Sequence, residues 1–211
     1  MEKYKGKYRV ESTRLRSANY GRNGIYFVTL CTAHKRYYFG NVSEQGIMEL
    51  SPIGLYARQC WEAIPEHFPF VHLGEFVVMP NHIHGLLVFR KPEQDLKGLM
   101  PGNKFQNQKQ NLASIIGSFK GVVTKYADRE GIPFQWQTRF YDRIVRDHEE
   151  CEAIKGYIRH NPIHWAEDDL NVNVEPRDSG IVETRDSRVS ETCESRVSTD
   201  CKFLMNNNLH K

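Results

Sequence analysis

Two apolar runs, residues 76–79 (FVVM) and 82–89 (HIHGLLVF), meet at Pro80-Asn81. Proline has no N–H to give to a ladder, so it belongs at a turn or a strand end. The pair therefore reads as two strands, and the second carries two imidazoles. His82 and His84 are two residues apart, and on a strand such residues point the same way. Both rings leave one face while Ile83 enters the other. Two neighbouring imidazoles can share one divalent ion. Val77, Val78, Leu86, Leu87 and Val88 supply a rigid apolar frame for them.

The rest of the chain alternates strand and helix signals around this pair. Residues 24–32 (GIYFVTLCT) are β-branched and aromatic behind Asn-Gly, as a buried strand would be. Residues 37–50 hold two short apolar runs around Ser-Glu-Gln-Gly, a hairpin pattern. Ser51 followed by Pro52 starts a helix to about residue 67, burying Ile53, Tyr56, Ala57, Cys60, Trp61 and Ile64. Residues 91–111 are polar with Gly and Pro, and read as a loop. Asn111 caps a helix that sets Leu112, Ile115, Ile116, Phe119, Val123 and Tyr126 on one stripe, and Gly131-Ile132-Pro133 ends it. Residues 140–145 read as a last strand. Asp147 with Glu150 three residues later opens a final helix. It is expected to bury Ala153, Ile154, Tyr157 and Ile158 and to stop near Asn161-Pro162.

Both ends differ from this body. Residues 1–22 carry seven Lys/Arg against two Glu and read as a basic arm. Beyond Ala166 the apolar pattern ends. Residues 183–190 (ETRDSRVS) and 191–198 (ETCESRVS) form a direct repeat, too short for a solenoid. Residues 166–211 hold six Lys/Arg against ten Asp/Glu, a net −4, while residues 1–165 carry a net +7. The expected division is an arm over 1–22, one domain over 23–166 and an acidic disordered tail over 167–211. A basic body suits a polyanion, nucleic acid first. Five scattered cysteines, with no CxxC pair and no apolar leader, suggest reduced thiols in the cytoplasm and no zinc site built on cysteine. No run of 18 apolar residues offers a membrane span.

Two further segments can carry chemistry. Tyr157 and Asn161 are four apart on the last helix and share a face. A tyrosine hydroxyl is a weak nucleophile at neutral pH, with a pKa of about 10. It becomes useful where a metal polarises the electrophile; a core aromatic would occupy the same position without chemistry. Residues 136–146 (WQTRFYDRIVR) interleave three arginines with aromatics. Guanidinium groups match phosphates, and aromatic faces stack on unpaired bases.

Taken in order, residues 79–84 (MPNHIH), 114–120 (SIIGSFK), 136–146, and Tyr157-Ile158 with Asn161-Pro162 resemble the single-tyrosine HUH transposases. The resemblance covers about residues 20–165 and is closest to the REP-associated tyrosine transposases, whose last motif ends in Asn-Pro. It implies an α+β, ferredoxin-like or RRM-like fold: an antiparallel sheet with helices packed on it. It implies a metal-dependent endonuclease and strand transferase that cuts and rejoins single-stranded DNA near hairpins, and so acts in DNA transposition and recombination. Tyr157 is the implied nucleophile, forming a 5′-phosphotyrosine. His82, His84 and Asn161 are the implied ligands of Mg²⁺ or Mn²⁺, with His164 a further candidate. Arg14, Arg16, Lys120, Arg139, Tyr141, Arg143 and Arg146 are the expected DNA contacts. The implied partner is single-stranded or hairpin DNA, without a nucleotide cofactor or membrane, in a cytoplasmic, nucleoid-associated monomer or homodimer. Two alternatives remain at this level. One is an inactive hairpin-binding protein. The other is a phosphodiesterase that uses water, with Asp142 or Glu75 joining the histidines.

Overall fold

The computed structural model describes residues 20–93 and 110–171. Strand β1 (Gly24–Cys31) enters the centre of the sheet. A small hairpin, β2 (Gly40–Val42) and β3 (Met48–Leu50), leads into helices α1 (Pro52–Glu62) and α2 (Ile64–His67). Strands β4 (Val71–Met79) and β5 (His82–Phe89) follow, then helix α3 (Leu112–Arg129), strand β6 (Tyr141–Val145) and helix α4 (His148–His160). The main sheet has the order β4-β5-β1-β6 with every neighbouring pair antiparallel. This is the ferredoxin-like arrangement: an antiparallel four-stranded sheet with helices packed on it.

Local signals in the sequence set most of these boundaries. The Ser51 hydroxyl accepts from the Gly54 amide, with Pro52 opening α1. Asn111 and Ser114 form a reciprocal capping box at α3. Asp147 accepts from the Glu150 amide at α4, but the Glu150 carboxylate turns to the Arg146 amide, so that cap is half a box. β4 begins at Val71, ahead of the expected residue 76; a bulge between Leu73 and Phe76 interrupts the alternation that would have revealed it.

The sheet is buried on both faces. Tyr26, Val28, Leu30, Ile83, Leu87 and Phe89 point into a core closed by α1 and α3, with Trp61 and Phe119 at its centre. Phe27, Leu86 and Val145 point the other way and are covered by Cys151 and Ile158 of α4. The expected inner face of α4 needs correcting. Ala153 and Tyr157 are exposed, because α4 rests on the sheet only through Cys151, Ile154 and Ile158. The expected division of the chain also shifts. Tyr20 is buried, and its carbonyl accepts from the Leu112 amide, so the body starts inside the expected arm. At the other end the fold continues past Ala166 to Asn171. The octet repeat, and residues 94–109 of the expected loop, lie outside the described residues.

One close approach in the larger core gives a clean test. A Cβ on Gly85 would sit 2.3 Å from Cζ2 of Trp61, and both lie in a packed layer that cannot yield cheaply. Gly85→Ala is expected to cost about 1–3 kcal/mol of stability. A urea midpoint equal to that of the unsubstituted protein would contradict this packing.

Candidate active site

The two-residue period of β5 decides where the histidines go. His82 and His84 share a face with Leu86, turned toward α4, while Ile83 and Leu87 enter the opposite core. Register places Cys31 across from His82 and Thr29 across from His84. Both imidazoles are buried, their centroids 4.4 Å apart. His84 stacks on Phe27, and Trp165 flanks His82 at 5.9 Å.

Each ring is held from behind. His84 Nδ1 lies 2.9 Å from Thr29 Oγ1, and His82 Nδ1 lies 2.8 Å from Asn81 Oδ1. That leaves both Nε2 atoms facing α4. The Tyr157 hydroxyl is 3.1 Å from His84 Nε2. His82 Nε2 has no hydrogen-bond partner, and neither has the buried Asn161 Oδ1. The Asn161 amide instead donates 2.9 Å to Asp168 Oδ2. His82, His84 and Asp168 each present a ligand atom, all within 4.8 Å of one another. Two imidazoles and a carboxylate, with an orphaned ring nitrogen and an orphaned amide oxygen aimed among them, are a donor set that fits a divalent cation.

Burial sets the protonation of the site. It pushes His82 down to about 3, against an opposing pull from Asn161, and His84 down to about 3, helped by the neighbouring His82. Both rings are therefore neutral near pH 7 and able to ligate. Tyr157 is half-exposed on a cleft of about 690 Å³ that it shares with His160, Asn161, His164 and Asp168. Its hydroxyl is raised above the usual tyrosine value, first by burial and then by the Asp168 charge. It is protonated at neutral pH.

Tyr157, His82, His84 and Asn161 thus meet in one place, although the tyrosine and the histidines are more than 70 positions apart in the chain. Asp168 is the residue that sequence patterning misses. It sits beyond Ala166, where the periodicity stops, and only Trp165, buried past the end of α4, hints that the fold continues. His164 is on the rim of the cleft, 3.9 Å from Glu167 and outside the His-His-Asp group. Glu75 is held in an ion pair by Arg159 at 2.6 Å. Asp142 pairs in register with Val28, on the face of the sheet turned from the histidines. Neither acid joins the histidines.

The expected DNA contacts divide. Arg14 and Arg16 lie outside the described residues. Tyr141 and Arg143 stand on the site face of β6, in register with Thr29 and Phe27. Tyr141 is 55% exposed and edges against Phe27, as Tyr157 also does. Arg143 pairs with Glu150. Arg139 and Arg146 are exposed. Lys120 is turned inward, giving its ammonium to the carbonyls of Gln137 and Arg139 at 2.8 and 3.3 Å beside the Trp136 ring. Burial pushes it down to about 8.

No family model matches the chain. An uncharacterised protein of Haemophilus influenzae is 38% identical over 168 residues, spanning 77% of this chain and 93% of that protein. A second protein of the same organism is 23% identical over 158 residues, 69% of this chain and 73% of its own length; it bears the provisional name REP-associated tyrosine transposase. Solved structures of a transposase of that kind bound to a REP hairpin (14% identical, TM-score 0.47, 75% of this chain and 74% of that one) and of a transposase candidate from Deinococcus radiodurans (12%, 0.39, 72% and 97%) are more distantly similar. Among the described residues, no helix is long and apolar enough to cross a membrane.

The buried imidazoles predict an acid limit. Between their ordinary value of 6.5 and about 3 the unfolded rings take up protons that the folded rings refuse. Stability therefore falls as pH drops through that window. Urea midpoints should decline from pH 6.5 downward, and His84→Asn should flatten the decline. An identical slope in the variant would contradict the neutral, buried assignment.

Proposed function

We propose that the chain is a single-strand DNA nicking and rejoining enzyme of the transposase type, with Tyr157 as nucleophile. The observation that carries this reading is one short distance: a half-exposed tyrosine hydroxyl 3.1 Å from a buried imidazole, itself beside an unpartnered imidazole nitrogen and a carboxylate. The reading is further supported by the relationship to REP-associated tyrosine transposases.

His82 and His84, with Asp168 or Asn161, would hold Mg²⁺ or Mn²⁺. Bound there, such an ion would neutralise charge on the non-bridging oxygens of a scissile phosphate. Two imidazoles favour the transition metal over Mg²⁺. The Tyr157 oxygen bonds to phosphorus, and the bond from phosphorus to the 3′ oxygen breaks. The tyrosine proton passes to solvent water as that bond forms. The departing oxygen gains a proton and leaves as a free 3′-OH. The 5′ end stays on the protein as phosphotyrosine, so attack by a 3′-OH can rejoin the strand without ATP.

Tyr141 and Arg143 flank the nucleophile on the open edge of the sheet. They give an unpaired base a face to stack on and a phosphate a cation. Exposed Arg139 and Arg146 extend the same edge toward the stem of a hairpin. Lys120 contributes by fixing the 136–139 turn rather than by contacting DNA.

Incubation with single-stranded hairpin oligonucleotides and Mn²⁺ should yield a covalent protein–DNA band. Tyr157→Phe should abolish it while hairpin binding stays within a few-fold, and EDTA should abolish it in the unsubstituted protein. Loss of the band in Tyr141→Phe but not in Tyr157→Phe would reassign the nucleophile. Cleavage in EDTA would remove the metal from the mechanism.

A further inference from the structure

Asn81 is a buried polar side chain beside the site that uses both atoms of its amide. It is 1% exposed, and it belongs to no ligand set considered above. Its Nδ2 donates to two backbone carbonyls, Lys35 at 3.0 Å and Leu170 at 2.8 Å. Its Oδ1 lies 2.8 Å from His82 Nδ1.

These contacts fix hydrogens that a structure does not show directly. A carbonyl oxygen can only accept. The amide atom facing two carbonyls must therefore be the NH₂, and the other must be the oxygen. An amide oxygen can only accept as well. His82 Nδ1 must then carry the N–H, which leaves the lone pair on Nε2. That nitrogen is the buried, unpartnered one facing His84 and Asp168. A flipped amide would set its oxygen against two carbonyl oxygens, and the other tautomer would set the bare Nδ1 against Oδ1, acceptor against acceptor in either case.

The second carbonyl matters equally. Leu170 lies two residues beyond Asp168, and its own amide donates 2.7 Å to Asp168 Oδ1. The segment is further tied by Lys35 Nζ to the Asp169 carbonyl at 2.8 Å. One amide thus reaches the imidazole from one side and the strand of chain bearing the carboxylate from the other.

We infer that Asn81 is a positioning residue of the metal site, selecting the His82 tautomer that can ligate and holding Asp168 in place as the carboxylate ligand. The inference rests on the metal reading above. Asn81 touches neither ion nor DNA; it acts through His82 and Asp168. Outer partners of metal ligands typically change affinity by about 10–100-fold when removed.

Two arms test this. In metal-free, ¹⁵N-histidine-labelled protein, long-range ¹⁵N–¹H correlation should show His82 protonated on Nδ1; protonation on Nε2 overturns the inference without any variant. In titrations with Mn²⁺ followed by electron paramagnetic resonance, Asn81→Ala and Asp168→Ala should each weaken binding by about 10–100-fold. The double variant should be little worse than the weaker single one, since both changes remove the same placed carboxylate. Fully additive losses, or an unchanged affinity in a folded Asn81→Ala protein, overturn it while the metal reading stands. No Mn²⁺ binding by the unsubstituted protein would sink that reading and this inference together. Should Asn81→Ala not fold, the tautomer and the Asp168→Ala titration decide the matter.

Discussion

Everything at the site depends on the pairing of β5 with β1 in one register. With Thr29 across from His84 and Cys31 across from His82, both imidazoles emerge on the α4 face, and Ile83 and Leu87 fill the opposite core. A slip by one residue would send the histidines into that core and the aliphatics to the site. The register is held strongly because both faces of β5 are buried. Trp61 closing on Gly85 leaves no room for a side chain there. The apolar core thus fixes the place of the two polar rings it excludes.

On this frame the site is assembled by polar contacts over long sequence distances. Tyr157 comes from α4, held down through Cys151 and Ile158. Asp168 comes from the segment after it, held by Asn81, Lys35 and Tyr37. Phe27 makes edge contacts with both Tyr141 and Tyr157, so one aromatic touches the proposed nucleophile and the proposed stacking surface. Desolvation keeps the histidines neutral, the form in which an imidazole can ligate, and raises the Tyr157 hydroxyl.

Much of this was legible in the sequence, and the reason is physical. Ser51, Asn111 and Asp147 are caps whose partners lie three residues away, and the His pair and the Tyr157–Asn161 pair follow from the strand and helix periods. What stayed hidden depends on distant polar partners. Asp168 sits in a segment held by amide and carbonyl groups, which leave no hydrophobic period to read. Val71–Glu75 lost its alternation to a bulge. The inward turn of Lys120 depends on carbonyls 17 and 19 residues away, supplied by a turn that a basic, aromatic stretch does not reveal.

The two histidines, a carboxylate from beyond α4 and the Tyr157 hydroxyl are proposed to form one centre. Crystals soaked in Mn²⁺ and measured at the manganese absorption edge would locate the ion. One strong anomalous peak is expected within ligand distance of His82 Nε2, His84 Nε2 and an Asp168 oxygen, with the Tyr157 hydroxyl beside it. A peak held by other residues, or no peak between the two imidazoles, would contradict this proposal.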